Sequence, residues 1–222
     1  LDYEAVSAMP SKPYEQSAKL LIDLDGGIQD GEVVVEIGCG TGNSTIVFAE
    51  SNPNFGRLIC VEPSKDLLAL ARYKFDDRFA RLPNWVKTGE EPSDPEKSKE
   101  FEKKVNEAKG YIENQRERVA RLNAKVDFIL GRSDGGLLPI ASNVADRIYL
   151  SNVLHWLAFR DDGVLDKNYL EGAFEDFARV LKNGGKLLFN LSLQFDFEEE
   201  ALNGRPLNSY QIVGHPFSTK FL

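Results

Sequence analysis

Sulfur and positive charge are both scarce in this chain, and no apolar stretch is long. Cys39 and Cys60 are its 2 cysteines. They show neither metal-ligand spacing nor a disulfide framework, so both thiols are expected to be free, in a reducing compartment. The longest apolar runs are of strand length, which excludes a membrane-spanning helix. Lys and Arg number 27 against 35 Asp and Glu, a formal net charge of -8. That leaves no basic footprint for a phosphate backbone, so neither nucleic acid nor a membrane is expected as a partner. Leu1 to Pro10 lack the basic and apolar regions of a secretory signal, which points to the cytoplasm. The chain begins without Met, which predicts a processed, trimmed or excised segment. No internal repeat is visible.

What is present fits one core. With 222 residues, 42% of them hydrophobic, a single α/β domain over 1–222 is expected. Val33 to Ile37 is a β-branched run bounded by Gly31 and Gly38, a buried strand ending in a tight turn. A helix should follow from Asn43 to Glu50, then a strand at Arg57 to Glu62. Pro63-Ser64 opens a helix carrying Leu67, Leu70, Ala71 and Phe75 on one face. Strands are also predicted at Val126 to Leu130, Asp146 to Ser151 and Lys186 to Leu193. The helix before the last of these has the stripe Leu170, Phe174, Phe177, Ala178 and Leu181, with Gly184-Gly185 as its C-cap. Alternating strands and helices imply parallel pairing, with helices on both faces of a doubly wound sheet.

A charged insertion at about 83–124 interrupts that rhythm. Ser93-Asp94-Pro95-Glu96 reads as a helix start. Phe101, Val105, Ala108, Ile112, Val119 and Leu122 recur at threes, fours and sevens, predicting one long helix with a narrow apolar seam. That seam suits packing on the domain, a lid, or half of a homodimer interface.

The densest signal is Glu36-Ile37-Gly38-Cys39-Gly40-Thr41-Gly42. Glycine serves where φ is positive or where a ligand approaches the backbone, and the following helix points unpaired N–H groups and its positive dipole end at the turn. The dinucleotide fingerprint would place its third glycine at Asn43, so a nicotinamide oxidoreductase fails the count. With Gly42 instead, the segment resembles the class I S-adenosylmethionine-dependent methyltransferases. Further motifs follow in order: Glu62 after the second strand, Ser133-Asp134 with Leu138-Pro139 after the third, and Asn152-Val153-Leu154-His155-Trp156 after the fourth. Arg179-Val-Leu-Lys-Asn-Gly-Gly185 is similar to the family's helix-to-strand segment, with Asn183 where proline is usual. Together they cover Glu32 to Leu193 apart from the insertion. The branch most similar is the small-molecule one that includes trans-aconitate and ubiquinone-pathway-like enzymes.

The resemblance implies a Rossmann-like fold and S-adenosylmethionine as cofactor, with S-adenosylhomocysteine as product. It implies cofactor contacts from Glu36, Gly38, Cys39, Gly40, Gly42, Glu62, Pro63, Ser133, Asp134, Asn152 and Tyr14, the last within Ser11-Lys12-Pro13-Tyr14. Glu62 is suited to the ribose because a carboxylate accepts from two adjacent hydroxyls. His155 is the candidate base, since imidazole titrates near neutral pH. A structural wall is the competing role for it, and His215 is a lesser candidate facing substrate. No metal is implied, and the acceptor is a small molecule reacting at O, C or N. Competing functions are aminopropyl transfer and a non-catalytic S-adenosylmethionine-binding or interaction module. The fold it resembles ends in a helix and two strands, the last antiparallel. The thirty or so residues after Leu193 are few for these, so C-terminal strands are expected to be missing.

Overall fold

The computed structural model describes residues 4, 12–76, 81–83, 94–120, 125–133, 137–154, 157, 167–191 and 211–216. Among them are strands β1 Val33–Ile37, β2 Arg57–Glu62, β3 Val126–Leu130, β4 Ala145–Leu150, β5 Leu181–Leu191 and β6 Gln211–Pro216. They form one sheet in the order β3-β2-β1-β4-β5-β6. β1 to β5 pair in parallel, and β6 lies antiparallel to β5. The helices are α1 Pro13–Leu24, α2 Asn43–Ser51, α3 Lys65–Phe75, α4 Pro95–Val119 and α5 Lys167–Val180.

Side-chain alternation along β1 explains the layers. Val35 and Ile37 join Ile59, Val61, Ile148, Leu150 and Leu187 on one face, covered by Ala173, Phe177 and Val180 of α5. Val34 joins Leu58, Cys60, Tyr149 and Leu188 on the other, covered by Ala18 and Leu21 of α1, Val47 and Phe48 of α2, and Leu68 of α3. Each fully buried aliphatic or aromatic side chain here contributes about 1.5–3 kcal/mol. The fold is therefore the doubly wound, Rossmann-like one. No helix among the described residues is long and apolar enough to cross a membrane.

The long helix starts as its sequence implies: Asp94 caps it, its Oδ1 accepting from Glu96 N at 2.9 Å. α4 lies outside the first helical layer, with Ile112 against Leu70 and Tyr73 of α3. Its seam is only half used. Ala108, Ile112, Gln115 and Val119 are buried, whereas Phe101 and Val105 are half-buried; Leu122 lies outside the described residues. Polar contacts complete the attachment. Glu15 of α1 accepts from Tyr111 Oη at 3.0 Å, Gln115 Nε2 at 3.2 Å and Arg118 Nη1 at 3.1 Å. Burial works against the Glu15 charge, but Arg118 and Tyr111 outweigh it and hold the carboxyl below its ordinary value. Arg118 Nε also donates to Glu50 of α2 at 2.9 Å.

Two expectations change. α5 ends at Val180, ahead of Gly184-Gly185, because Asn143 N and Val144 N donate to Arg179 O and Val180 O, each at 2.9 Å. With its last carbonyls already met, the helix needs no glycine cap. Leu181 belongs to β5, and Gly184, with φ 79°, falls where the β4–β5 register shifts. The sequence predicts that C-terminal strands are missing; of the helix and two strands that end the fold this chain resembles, one strand, β6, lies among the described residues. It sets His215 opposite Leu187.

Candidate functional site

The order in which strands are added reverses between β1 and β4: β2 and β3 extend the sheet one way from β1, β4 and β5 the other. The carboxyl ends of strands beside such a switch point leave a crevice, the usual ligand position in open α/β sheets. The Gly38–Gly42 turn leaves β1 at that point.

Its three glycines have positive φ, 68° at Gly38, 54° at Gly40 and 83° at Gly42, but different neighbours. A Cβ on Gly38 would lie 2.5 Å from Cγ2 of Val153, and one on Gly42 3.2 Å from Cβ of Ala71 in α3. These two glycines let the turn press against the β4 exit and α3. A Cβ on Gly40 would meet nothing within 4 Å among the described residues. Gly40 is thus the member of the turn that faces open space, where a ligand can touch backbone. Val61 O, accepting from Gly38 N at 2.7 Å and Cys39 N at 3.2 Å, fixes the bend to β2.

Glu62 closes one side of the turn. Its Oε2 accepts from Gly40 N at 2.9 Å and its Oε1 from Ser64 N at 2.9 Å. Each oxygen retains acceptor capacity beyond these bonds. Burial raises the Glu62 carboxyl above its ordinary value, while the amides of Ser64 and Gly40 pull it down. Pro63 beside it is exposed. Ser64 caps α3 by accepting from Leu67 N at 3.3 Å. Glu36 lies beneath the turn, fully buried, its oxygens taken by Ser44 Oγ and by Thr45 Oγ1 at 2.5 Å, both from the first turn of α2. Burial pushes its carboxyl up to about 7 against the hydrogen bonds of Ser44, Thr45 and Cys60. Cys39 and Cys60 are free and buried, and burial raises both thiols, which leaves them poor nucleophiles.

From β4 comes Asn152, in the left-handed region at φ 58°. Its N–H donates to Asn190 Oδ1 at 2.7 Å, its Oδ1 accepts from Asn190 Nδ2 at 2.9 Å, and its Nδ2 donates to Ser17 Oγ of α1 at 2.9 Å. Ser133 is buried just past β3, and Tyr14 is half-buried at the start of α1. Asp134 and His155 lie outside the described residues. The fold therefore brings Glu36, Gly38, Cys39, Gly40, Gly42, Glu62 and Asn152 to adjoining strand ends.

Sequence reading missed a polar strap behind the turn. Lys74 of α3, buried, donates to Glu4 Oε1 at 3.0 Å and to Asn43 Oδ1 at 2.6 Å. Asn43 Nδ2 in turn donates to Thr41 Oγ1 at 3.1 Å, inside the turn. Burial lowers the Lys74 ammonium and Glu4 counters it. The only hint was a lysine in the last turn of a helix, which a solvated dipole partner explains as well. No cluster of His, Cys, Asp and Glu among the described residues is placed to hold a metal.

A family model described as a methyltransferase domain matches residues 35–187. No curated protein matches the chain. Among solved structures, YcgJ of Bacillus subtilis is 21% identical with TM-score 0.46, over 79% of this chain and 50% of that one. A SAM-dependent methyltransferase of Aquifex aeolicus is 14% identical with TM-score 0.49, over 86% and 71%. A complex between the Trm112 methyltransferase activator and a methyltransferase of Haloferax volcanii gives 15% identity and TM-score 0.50, over 86% and 57%. The chain thus spans about half the length of the first and little more than half of the third. At these identities the likeness is one of fold.

Proposed function

We propose that this chain, which belongs to the methyltransferase domain family, binds S-adenosylmethionine over the Gly38–Gly42 turn and serves methyl transfer to a small-molecule acceptor. The observation that carries the reading is the pairing of Gly40, bare toward open space, with the Glu62 carboxylate that already holds its N–H. Backbone amides at the start of α2 suit a carboxylate, and the spare acceptor capacity of Glu62 suits vicinal hydroxyls. In this reading Glu36, Cys39, Pro63, Ser133, Asp134, Asn152 and Tyr14 complete the cofactor's surroundings.

The bound cofactor supplies a methyl carbon already activated by a sulfonium. The protein then has to hold the acceptor in line with it, and orientation of this kind contributes on the order of 7 to 11 kcal/mol at best. The exit of β4, fixed by Asn152, carries the segment assigned to that task. His155 takes the acceptor's proton where one must leave, and a carboxylate acceptor dispenses with it. A protein that binds the cofactor but methylates nothing is the alternative.

Calorimetry tests the first step: S-adenosylmethionine and S-adenosylhomocysteine should bind and NAD should not. Failure of both sulfur ligands would remove the proposal. A labelled-methyl screen over hydroxyl, carboxylate and carbon-acid metabolites then separates enzyme from binding module. His155→Ala should slow turnover with cofactor affinity unchanged, and unaltered turnover would make it a wall.

A further inference from the structure

Two carboxyl groups stand at the turn without a cation. Glu36 is 0% and Glu62 5% exposed, and neither forms an ion pair among the described residues. The groups facing Glu36 come from four directions. β2 contributes Cys60 and Glu62, the turn contributes Cys39, and α2 contributes only the hydroxyls of Ser44 and Thr45. β4 runs alongside with Tyr149 in register with Glu36, and its buried Arg147, two residues earlier on the same face, is held by Asp25 and Glu32. The Tyr149 hydroxyl has no partner among the described residues, and burial pushes it up to about 12. Behind the turn, α3 offers Lys74, already engaged by Glu4 and Asn43. Apart from Lys74 and Arg147, each already engaged by carboxylates of its own, every titratable neighbour is thus neutral or negative near pH 7. A buried carboxylate so placed is opposed by desolvation and by Glu62, and three neutral donors compensate it only in part. Retaining the proton is the cheaper state, through the same burial that pushes this carboxyl up to about 7.

We propose that Glu36 carries a proton in the ligand-free protein and releases it to solvent when a cationic ligand settles on the turn, so that cofactor capture expels close to one proton. This rests on the reading of the turn as the S-adenosylmethionine site. Ligand charge supplies what the site lacks: an opposite charge within a few ångströms lowers a carboxyl pKa by about 1–3 units. The two states divide the work. The neutral carboxyl lets the turn fold without an isolated buried charge, and the ionised one attracts the ligand once its cation is present.

Titration calorimetry with S-adenosylmethionine, in buffer pairs of different ionisation enthalpy between pH 6 and 7, reads the proton count directly. In that range the ligand's own α-amino group, titrating near 8, is already charged. The expected result is release approaching about one proton at pH 6, with affinity rising up to about tenfold per pH unit below pH 7 and levelling above it. Binding with no release and a flat pH profile would overturn the inference while leaving the cofactor site standing. No binding at any pH would remove both. Glu36→Gln keeps the two histidines and should bind without releasing a proton, whereas release that persists in it would assign the proton elsewhere. Should that variant fail to fold, carbon NMR of labelled glutamate carboxyls in the unaltered protein decides. Glu36 should titrate near pH 7 alone and below pH 6 with ligand, and a Glu36 carboxyl ionised at pH 6 without ligand would contradict the proposal.

Discussion

Asn190 of β5 holds Asn152 at the end of β4 by a reciprocal pair of hydrogen bonds, 2.7 Å from the Asn152 N–H and 2.9 Å to its side-chain oxygen. The pair stabilises a backbone φ of 58° that asparagine tolerates better than most residues. The next residue, Val153, is the one pressed against Gly38. Buried Asn190 therefore reaches the glycine turn through two neighbours. Asn190→Ala should lower stability by about 1–3 kcal/mol, since it strips partners from a part-buried amide. Asn152→Gly, which accepts the left-handed region freely, should recover part of the loss. Thermal unfolding of the two single variants and the double variant checks this, and strictly additive losses would show that Asn190 does not act through Asn152.

The glycines of the turn should separate by variant. Gly40→Ala places its methyl in open space, so its cost is the left-handed backbone alone, about 1–2 kcal/mol. Gly38→Ala adds overlap with the methyls of Val153 at 2.5 and 2.7 Å, worth about 1–3 kcal/mol more. Gly40→Ala is expected to stay folded and lose cofactor affinity, while Gly38→Ala loses stability first. Equal melting temperatures, or full affinity in Gly40→Ala, would contradict this assignment.

Behind the turn, the Lys74–Glu4 pair is buried on both sides. Lys74→Met removes one partner and leaves the Glu4 carboxylate uncompensated, a loss of about 3–5 kcal/mol. Adding Glu4→Gln to Lys74→Met should restore much of it, because the remaining group is neutral. A double variant less stable than Lys74→Met by denaturant titration would mean that the two residues act independently.

How much of this could be read from sequence depended on how local its cause was. The β1 run, the turn and the start of α4 at Asp94-Pro95 were legible because a few adjacent residues determine them, through β-branching, positive φ and a cap. The end of α5 was not, since Asn143 and Val144, far away in the chain, satisfy its carbonyls. Glycine spacing identified the turn as a place of close approach. It could not tell that Gly38 and Gly42 serve packing against Val153 and Ala71 while Gly40 alone faces open space. Lys74, Glu4 and Asn43 meet only when three segments pack, and each looks ordinary in its own stretch.

Glu36 also gives stability a pH dependence whose sign is opposite to that of an ion-paired carboxylate. Its ordinary value of 4.5 is raised to about 7 in the folded chain, chiefly by burial. Between those values the folded state binds more proton than the unfolded one, so stability falls as pH rises. The contribution is fully present below about pH 4.5 and is gone above about 7, and its size is on the order of 3 kcal/mol at most. Carboxylates such as Glu15, held below their ordinary value, act in the opposite sense at lower pH. The comparison is therefore made between the unaltered chain and Glu36→Gln, by urea titration from pH 4.5 to 7.5 without ligand. The glutamine variant should lack the decline, and parallel curves for the two proteins would show that Glu36 is ionised throughout.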